Sequence, residues 1–152
     1  MIILLLVKKE PKETLKYHSD SILCSTVLKD GRFVTGSNDK SIIIYNNKTF
    51  KPDLIIKEHK DGVNCVIQLS SGELVSCSGD NTIKLYNINE NKYNVIQTLT
   101  YHKDWVSKII ELKNKQLISC SGDKSIIFYN KDNNEYKKDY SISTSYINGP
   151  II

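Results

Sequence analysis

The chain has three histidines, His18, His59 and His102, and each stands 17 residues before a hydroxyl side chain and 21 before an aspartate. The hydroxyls are Thr35, Ser76 and Ser119; the aspartates are Asp39, Asp80 and Asp123. An imidazole between a carboxylate and a hydroxyl could do nucleophilic chemistry: the acid orients the base, and the base takes the proton of the attacking oxygen. Six residues after each aspartate comes a tyrosine, Tyr45, Tyr86 or Tyr129. A 152-residue chain has no use for three copies of one active site. The same residue types also build a structural network. The aspartate caps a tight turn through backbone N–H groups and accepts from the imidazole, which meets the hydroxyl and the tyrosine ring. The threefold recurrence favours this second reading, so no catalytic residue is expected and the chain is not expected to be an enzyme.

The elements that hold these residues repeat with them. "SCSGDNTIKLYN" (76–87) returns as "SCSGDKSIIFYN" (119–130), and a looser copy, "TGSNDKSIIIYN", spans 35–46. Spacing inside a unit is constant, while the joint between a tyrosine and the next histidine varies. Periods in the forties mark repeated supersecondary units. Within a unit an apolar run such as "VNCVIQL" (63–69) or "VSKIIEL" (106–112) meets a turn: "KDG" (29–31), "SSG" (70–72) or "KNK" (113–115). A second short strand such as "ELVSCS" (73–78) leads to the aspartate turn. A third strand rich in β-branched and aromatic residues follows, and "PDLIIKE" (52–58) or "YNVIQTL" (93–99) supplies a fourth. No segment keeps an apolar period of 3.6. The fold class is all-β, with four short antiparallel strands per unit.

With a histidine near the start of each unit and a Ser/Gly–Asp turn before an aromatic strand, the pattern resembles the WD-repeat β-propeller family. The resemblance covers His18 to Asn130. Two features depart from it: the terminal Trp-Asp is Tyr-Asn in every copy (45–46, 86–87, 129–130), and Tyr17, Glu58 and Tyr101 stand where a glycine precedes the histidine. It implies one partial propeller over 1–152, with blades at 18–58, 59–101 and 102–144, remnant strands at 1–17 and the start of a further strand at 145–152. Propellers close with about four to eight blades. The chain therefore reads as part of a longer propeller, with copies that complete the ring together as the alternative.

The resemblance further implies a platform for a protein or peptide, presented on one face around the central channel. The residues there would be Ser21, Leu23, Gly62, Asn64, Trp105 and Ser107 after the histidines, and Asn38, Gly79 and Gly122 before the aspartates. Trp105 is the one tryptophan and lies outside the core slot; aromatics of this kind anchor interfaces. A substrate-recruiting or regulatory subunit of a larger enzyme complex, such as a ubiquitin ligase, is the alternative function.

Composition narrows the classes further. The net charge is +4, yet 20 of the 21 basic residues are lysine, with Arg32 alone, and they are scattered. Nucleic-acid readout favours clustered basic residues with arginine among them, so that class is disfavoured. Cys24 and Cys65 share one repeat position, Cys77 and Cys120 another, with no Cys-x-x-Cys; they read as small buried hydrophobes, and no metal or cofactor is expected. The run "MIILLLV" (1–7) is followed, not preceded, by Lys8 and Lys9, and is far shorter than the ~20 residues of a spanning helix. It reads as a strand remnant, with no membrane association. The expected location is cytoplasmic, with the nucleus as the alternative.

Overall fold

Residues 15–144 are described by the computed structural model. Runs of Val, Ile, Leu and Tyr broken by Gly, Asn and Asp turns form twelve strands. They are β1 (Ile22–Val27), β2 (Phe33–Ser37), β3 (Ile42–Tyr45), β4 (Pro52–Ile56), β5 (Val63–Gln68) and β6 (Leu74–Ser78), then β7 (Ile83–Asn89), β8 (Lys92–Leu99), β9 (Val106–Glu111), β10 (Leu117–Ser121), β11 (Ser125–Asp132) and β12 (Glu135–Ser143). They make three antiparallel four-stranded sheets in sequence order: β1-β2-β3-β4, β5-β6-β7-β8 and β9-β10-β11-β12. The all-β expectation holds. Residues 1–14 and 145–152, expected as pieces of further blades, lie outside the described residues.

Two local devices shape each sheet. The aspartate turn closes through a left-handed residue, Lys40, Asn81 or Lys124, with φ of 73°, 68° and 66°. The innermost pair carries a register shift, between Ile22 and Cys24, between Val63 and Cys65, and opposite Cys120 and Ser121. Such bulges bend a strand and re-aim a side chain. The residues skipped are Leu23, Asn64 and Ser107.

The core lies between sheets. Val34, Ile42, Ile44 and Ile56 of the first sheet meet Val63, Val66, Leu74 and Tyr86 of the second. Val75, Cys77, Ile83, Leu85 and Leu99 of the second meet Val106, Ile109, Leu117, Ile127, Tyr129 and Tyr136 of the third. Each fully buried aliphatic side chain contributes about 1.5–3 kcal/mol, so the two joints hold most of the apolar stabilisation. Polar latches register them. Gln97 on β8 behaves like a strand edge toward β12: its Nε2 donates to the Tyr136 carbonyl (2.7 Å) and its Oε1 accepts from the Tyr136 N–H (2.8 Å). Glu111 accepts from the Ser70 N–H and hydroxyl, both at 2.7 Å.

The far face of the third sheet repeats the pattern without a cover among the described residues. Ile118, Ile126, Phe128 and Ile142 hold the positions of Val75, Ile83, Leu85 and Leu99. Ile142 is 46 % exposed, whereas Leu99 is 3 % exposed. Phe128 and Tyr140 stack there with centroids 4.3 Å apart.

Candidate functional site

In every sheet the histidine bridges the acid and the hydroxyl. Nδ1 of His18, His59 and His102 donates to Asp39, Asp80 and Asp123 at 2.9, 2.8 and 2.8 Å. A carboxylate on Nδ1 fixes that nitrogen as the donor, so Nε2 accepts from Thr35, Ser76 and Ser119, each at 2.7 Å. The tyrosine hydroxyls of Tyr45, Tyr86 and Tyr129 close the chain 3.5, 3.3 and 2.8 Å from those oxygens. The twelve tetrad residues thus stand together, four to a sheet.

Further hydroxyls, missed in the sequence, complete each network. Ser41, Thr82 and Ser125 each donate to the aspartate two residues before them at 2.6 Å. Ser37, Ser78 and Ser121 donate to the carbonyls of Asp20, Asp61 and Asp104 and accept the N–H of the tetrad aspartate. Both positions recur at fixed offsets in "S-x-D-x-S/T", so the signal was present.

Electrostatics follow from this wiring. Burial works against the charge of Asp123, but the Ser125 hydroxyl, the Lys103 N–H and His102 together hold its carboxyl far below the usual range. Asp39 and Asp80 are held down in the same manner. Burial lowers the pKa of His102 despite Asp123 beside it. Burial also pushes the phenols of Tyr86 and Tyr129 well up, which keeps them protonated. Ser76 and Ser119 have no exposed surface. A hydroxyl with no access to substrate, its partners all engaged, cannot serve as a nucleophile. The tetrads clamp strands together.

The exposed chemistry lies at the loop ends above these clamps. The carbonyls of Ser21, Gly62 and Trp105 accept from the N–H of Asn38, Gly79 and Gly122, each at 2.9 Å, so the structure brings the two predicted groups together. Trp105 is 46 % exposed and its indole lies on Gly122: a Cβ there would fall 2.3 Å from Nε1. A Cβ on Gly62 would meet Asn38 Oδ1 at 2.8 Å, and Gly79 faces Asp61. Leu23 is also exposed. Two of the predicted face residues are half-buried and hydrogen-bonded within the protein. Asn64 Nδ2 donates to the Val106 carbonyl of the next sheet (2.8 Å), and Ser107 Oγ donates to the Cys120 carbonyl (3.1 Å). Each sits at a bulge that the sequence does not announce.

Among the described residues no group of three or more His, Cys, Asp or Glu is placed to hold a metal ion. No helix among them is long and apolar enough to cross a membrane.

Comparison with known proteins agrees with this architecture. The family model described as "WD domain, G-beta repeat" (WD40) matches residues 9–46, 50–87 and 93–130. The chain is similar to the crystal structure of the WD40 β-propeller domain of Doa1, with 28 % identity and a TM-score of 0.75. The likeness covers 86 % of this chain and 43 % of that one, so the chain spans under half the length of the structure it matches. A search of curated proteins returned no match. Three matched repeats, three four-stranded sheets and three tetrads establish that the chain belongs to the WD-repeat β-propeller family.

Proposed function

We propose that the chain is a non-catalytic interaction scaffold that presents its loop face to a protein or peptide partner. The observation that carries this reading is the contrast at that face. The polar groups beneath it are bonded to one another, while Trp105 and Leu23 stand exposed above them. An aromatic with few rotatable bonds buries much area at little entropic cost, which suits an interface anchor. Proteins of this family generally serve as interaction platforms, in keeping with this use of the face.

The scaffold works as part of a complete ring. The apolar far face of the third sheet supports this, because its counterparts in the first two sheets are covered by a blade. Further blades of a longer chain are the first source of that cover, and a second copy is the other. Light scattering of the purified chain over a concentration series separates them: a defined dimer favours the second copy, and a monomer with heterogeneous aggregates favours the longer chain.

The scaffold reading is tested by affinity capture with the full chain, followed by mapping of the bound segment. Trp105→Ala should lose the captured partner by about tenfold or more, the weight of a hot-spot residue. Unchanged capture by Trp105→Ala and Leu23→Ala together would move the interface off this face.

A further inference from the structure

Cys65 and Cys77 stand opposite each other in the β5–β6 ladder and belong to the core cluster shared with the third sheet. Residues paired in this way have Cα atoms about 4.5–5.5 Å apart, and a disulfide spans Cα separations of roughly 4.4–6.8 Å. The matching pair of the first sheet holds one thiol only, with no room for a side chain opposite it. Cys24 pairs with Gly36, and a Cβ on Gly36 would lie 2.6 Å from the Cys24 sulfur. In the third sheet the pair is Lys108 and Cys120. The middle sheet alone puts two thiols at this position, and all four cysteines are free.

The two thiols are not equivalent. Cys65 keeps 8 % exposure while Cys77 has none. The Cys65 thiol donates to the Ile109 carbonyl at 3.7 Å, and Lys108 of the third sheet adds positive charge beside it. Burial holds Cys77 protonated. The thiol that keeps some solvent access is placed as the attacking cysteine of such a pair, and the enclosed one opposite it as the resolving cysteine.

We propose that Cys65 and Cys77 form an oxidisable dithiol, converted by hydroperoxides in the folded state to a disulfide within the β5–β6 hairpin. The Cys65 thiolate attacks the hydroperoxide oxygen that bears the hydrogen, and the O–O bond breaks. The other oxygen leaves as alkoxide (hydroxide for hydrogen peroxide) and takes up the proton that Cys65 had released. Cys65 then carries a sulfenic acid. The Cys77 sulfur attacks that sulfur, the S–O bond breaks, and the hydroxyl departs as water with the Cys77 proton. The two thiols lose two electrons and the peroxide gains them.

Cys24 is the competing partner, since its sulfur interacts with Cys65 across the first joint. Burial raises the Cys24 thiol to about 12, and it donates to the Val63 carbonyl at 3.6 Å. It should therefore be the slower thiol.

The test treats the full native chain with hydrogen peroxide, blocks remaining thiols with N-ethylmaleimide in denaturant, and maps the digest by mass spectrometry. The expected product is one peptide pair, Cys65 to Cys77, lighter by its two thiol hydrogens, with Cys24 and Cys120 alkylated. Cys65 should react at least about tenfold faster than Cys120, which Lys108 also faces but which is more enclosed and has no thiol opposite it. In Cys77→Ser, dimedone should trap Cys65 as its sulfenic acid. A bridge to Cys24, oxidation spread over all four thiols, or a dithiol untouched until the chain is unfolded would overturn the proposal. Wild-type mapping decides the matter even where Cys77→Ser fails to fold.

Discussion

The hydroxyls of Ser119 and Tyr129 lie 2.8 Å apart, closer than Ser76 and Tyr86 at 3.3 Å or Thr35 and Tyr45 at 3.5 Å. The phenol thus fills the slot of the family's tryptophan and keeps a polar group for the tetrad. Tyr129→Phe should destabilise the chain by about 1 kcal/mol, the net worth of one buried hydrogen bond. Tyr45→Phe should cost measurably less, because its bond is at the limit of useful length. Urea unfolding of the two variants checks the order. Equal losses would mean that the rings count by volume alone.

Acid should weaken the fold in two stages. His102 has its folded pKa below the ordinary 6.5, so the unfolded chain binds its proton first. Stability from this group is full above about pH 6.5 and is lost as pH falls through the lower folded value. The tetrad aspartates are likewise depressed from 3.8. Their contribution is present above about pH 4 and drains away below it. Urea midpoints measured from pH 8 to pH 3 should therefore decline below pH 6.5 and fall again below pH 4. A His102→Gln variant should flatten the first stage and leave the second. A stability maximum at pH 5 would contradict the assignment.

Gly122 supports the Trp105 indole by having no side chain. Gly122→Ala should push the ring off the surface and shift tryptophan emission to the red. Its cost in stability should stay within about 1 kcal/mol, because the displaced group is an exposed side chain that can move. Trp105→Ala should lower the melting temperature by only a few degrees. A larger fall would make the indole a packing element and not a contact for partners.

Equivalent positions in the second and third sheets report on what covers the chain. Val75 is fully buried, while Ile118, its counterpart, is half-buried. In the uncovered chain Val75→Ala should cost about 2 kcal/mol and Ile118→Ala about half that despite its larger side chain. Once a further blade seats on the third sheet, the Ile118→Ala cost should rise above that of Val75→Ala. Thermal unfolding at dilute and concentrated protein distinguishes the two states.

Much of what repeats was legible in the sequence. The four strands and the tetrads recur at fixed offsets, so three copies vouched for one another, and Trp105 was visible as a tryptophan outside the repeat's aromatic slot. Two repeating hydroxyl positions beside the tetrad aspartates escaped all the same, and the joints between sheets escaped because their residue types vary. Gln97 pairs with Tyr136 across a joint, yet its counterparts are Leu54 and Tyr140, which cannot make that bond. Glu111 catches the Ser70 N–H and Gln68 catches the Lys29 N–H in the same way, so this latch recurs at both joints under different residue types. The bonds of Asn64 and Ser107 were hidden for another reason. Both stand half-buried at a bulge and donate to a carbonyl, whereas Leu23 at the same bulge of the first sheet is exposed, and no residue type in a strand signals a bulge.

Because both apolar clusters lie between sheets, the stability of each unit is lent by its neighbours, as in a row of nearest-neighbour couplings. Among the described residues the middle sheet is coupled on two sides and the outer ones on a single side. Amide exchange should accordingly be slowest in β6 and β7, opening from the outside inward. A unit added beyond the third sheet would slow exchange there and leave the first sheet untouched, so the molecule gains rigidity one boundary at a time.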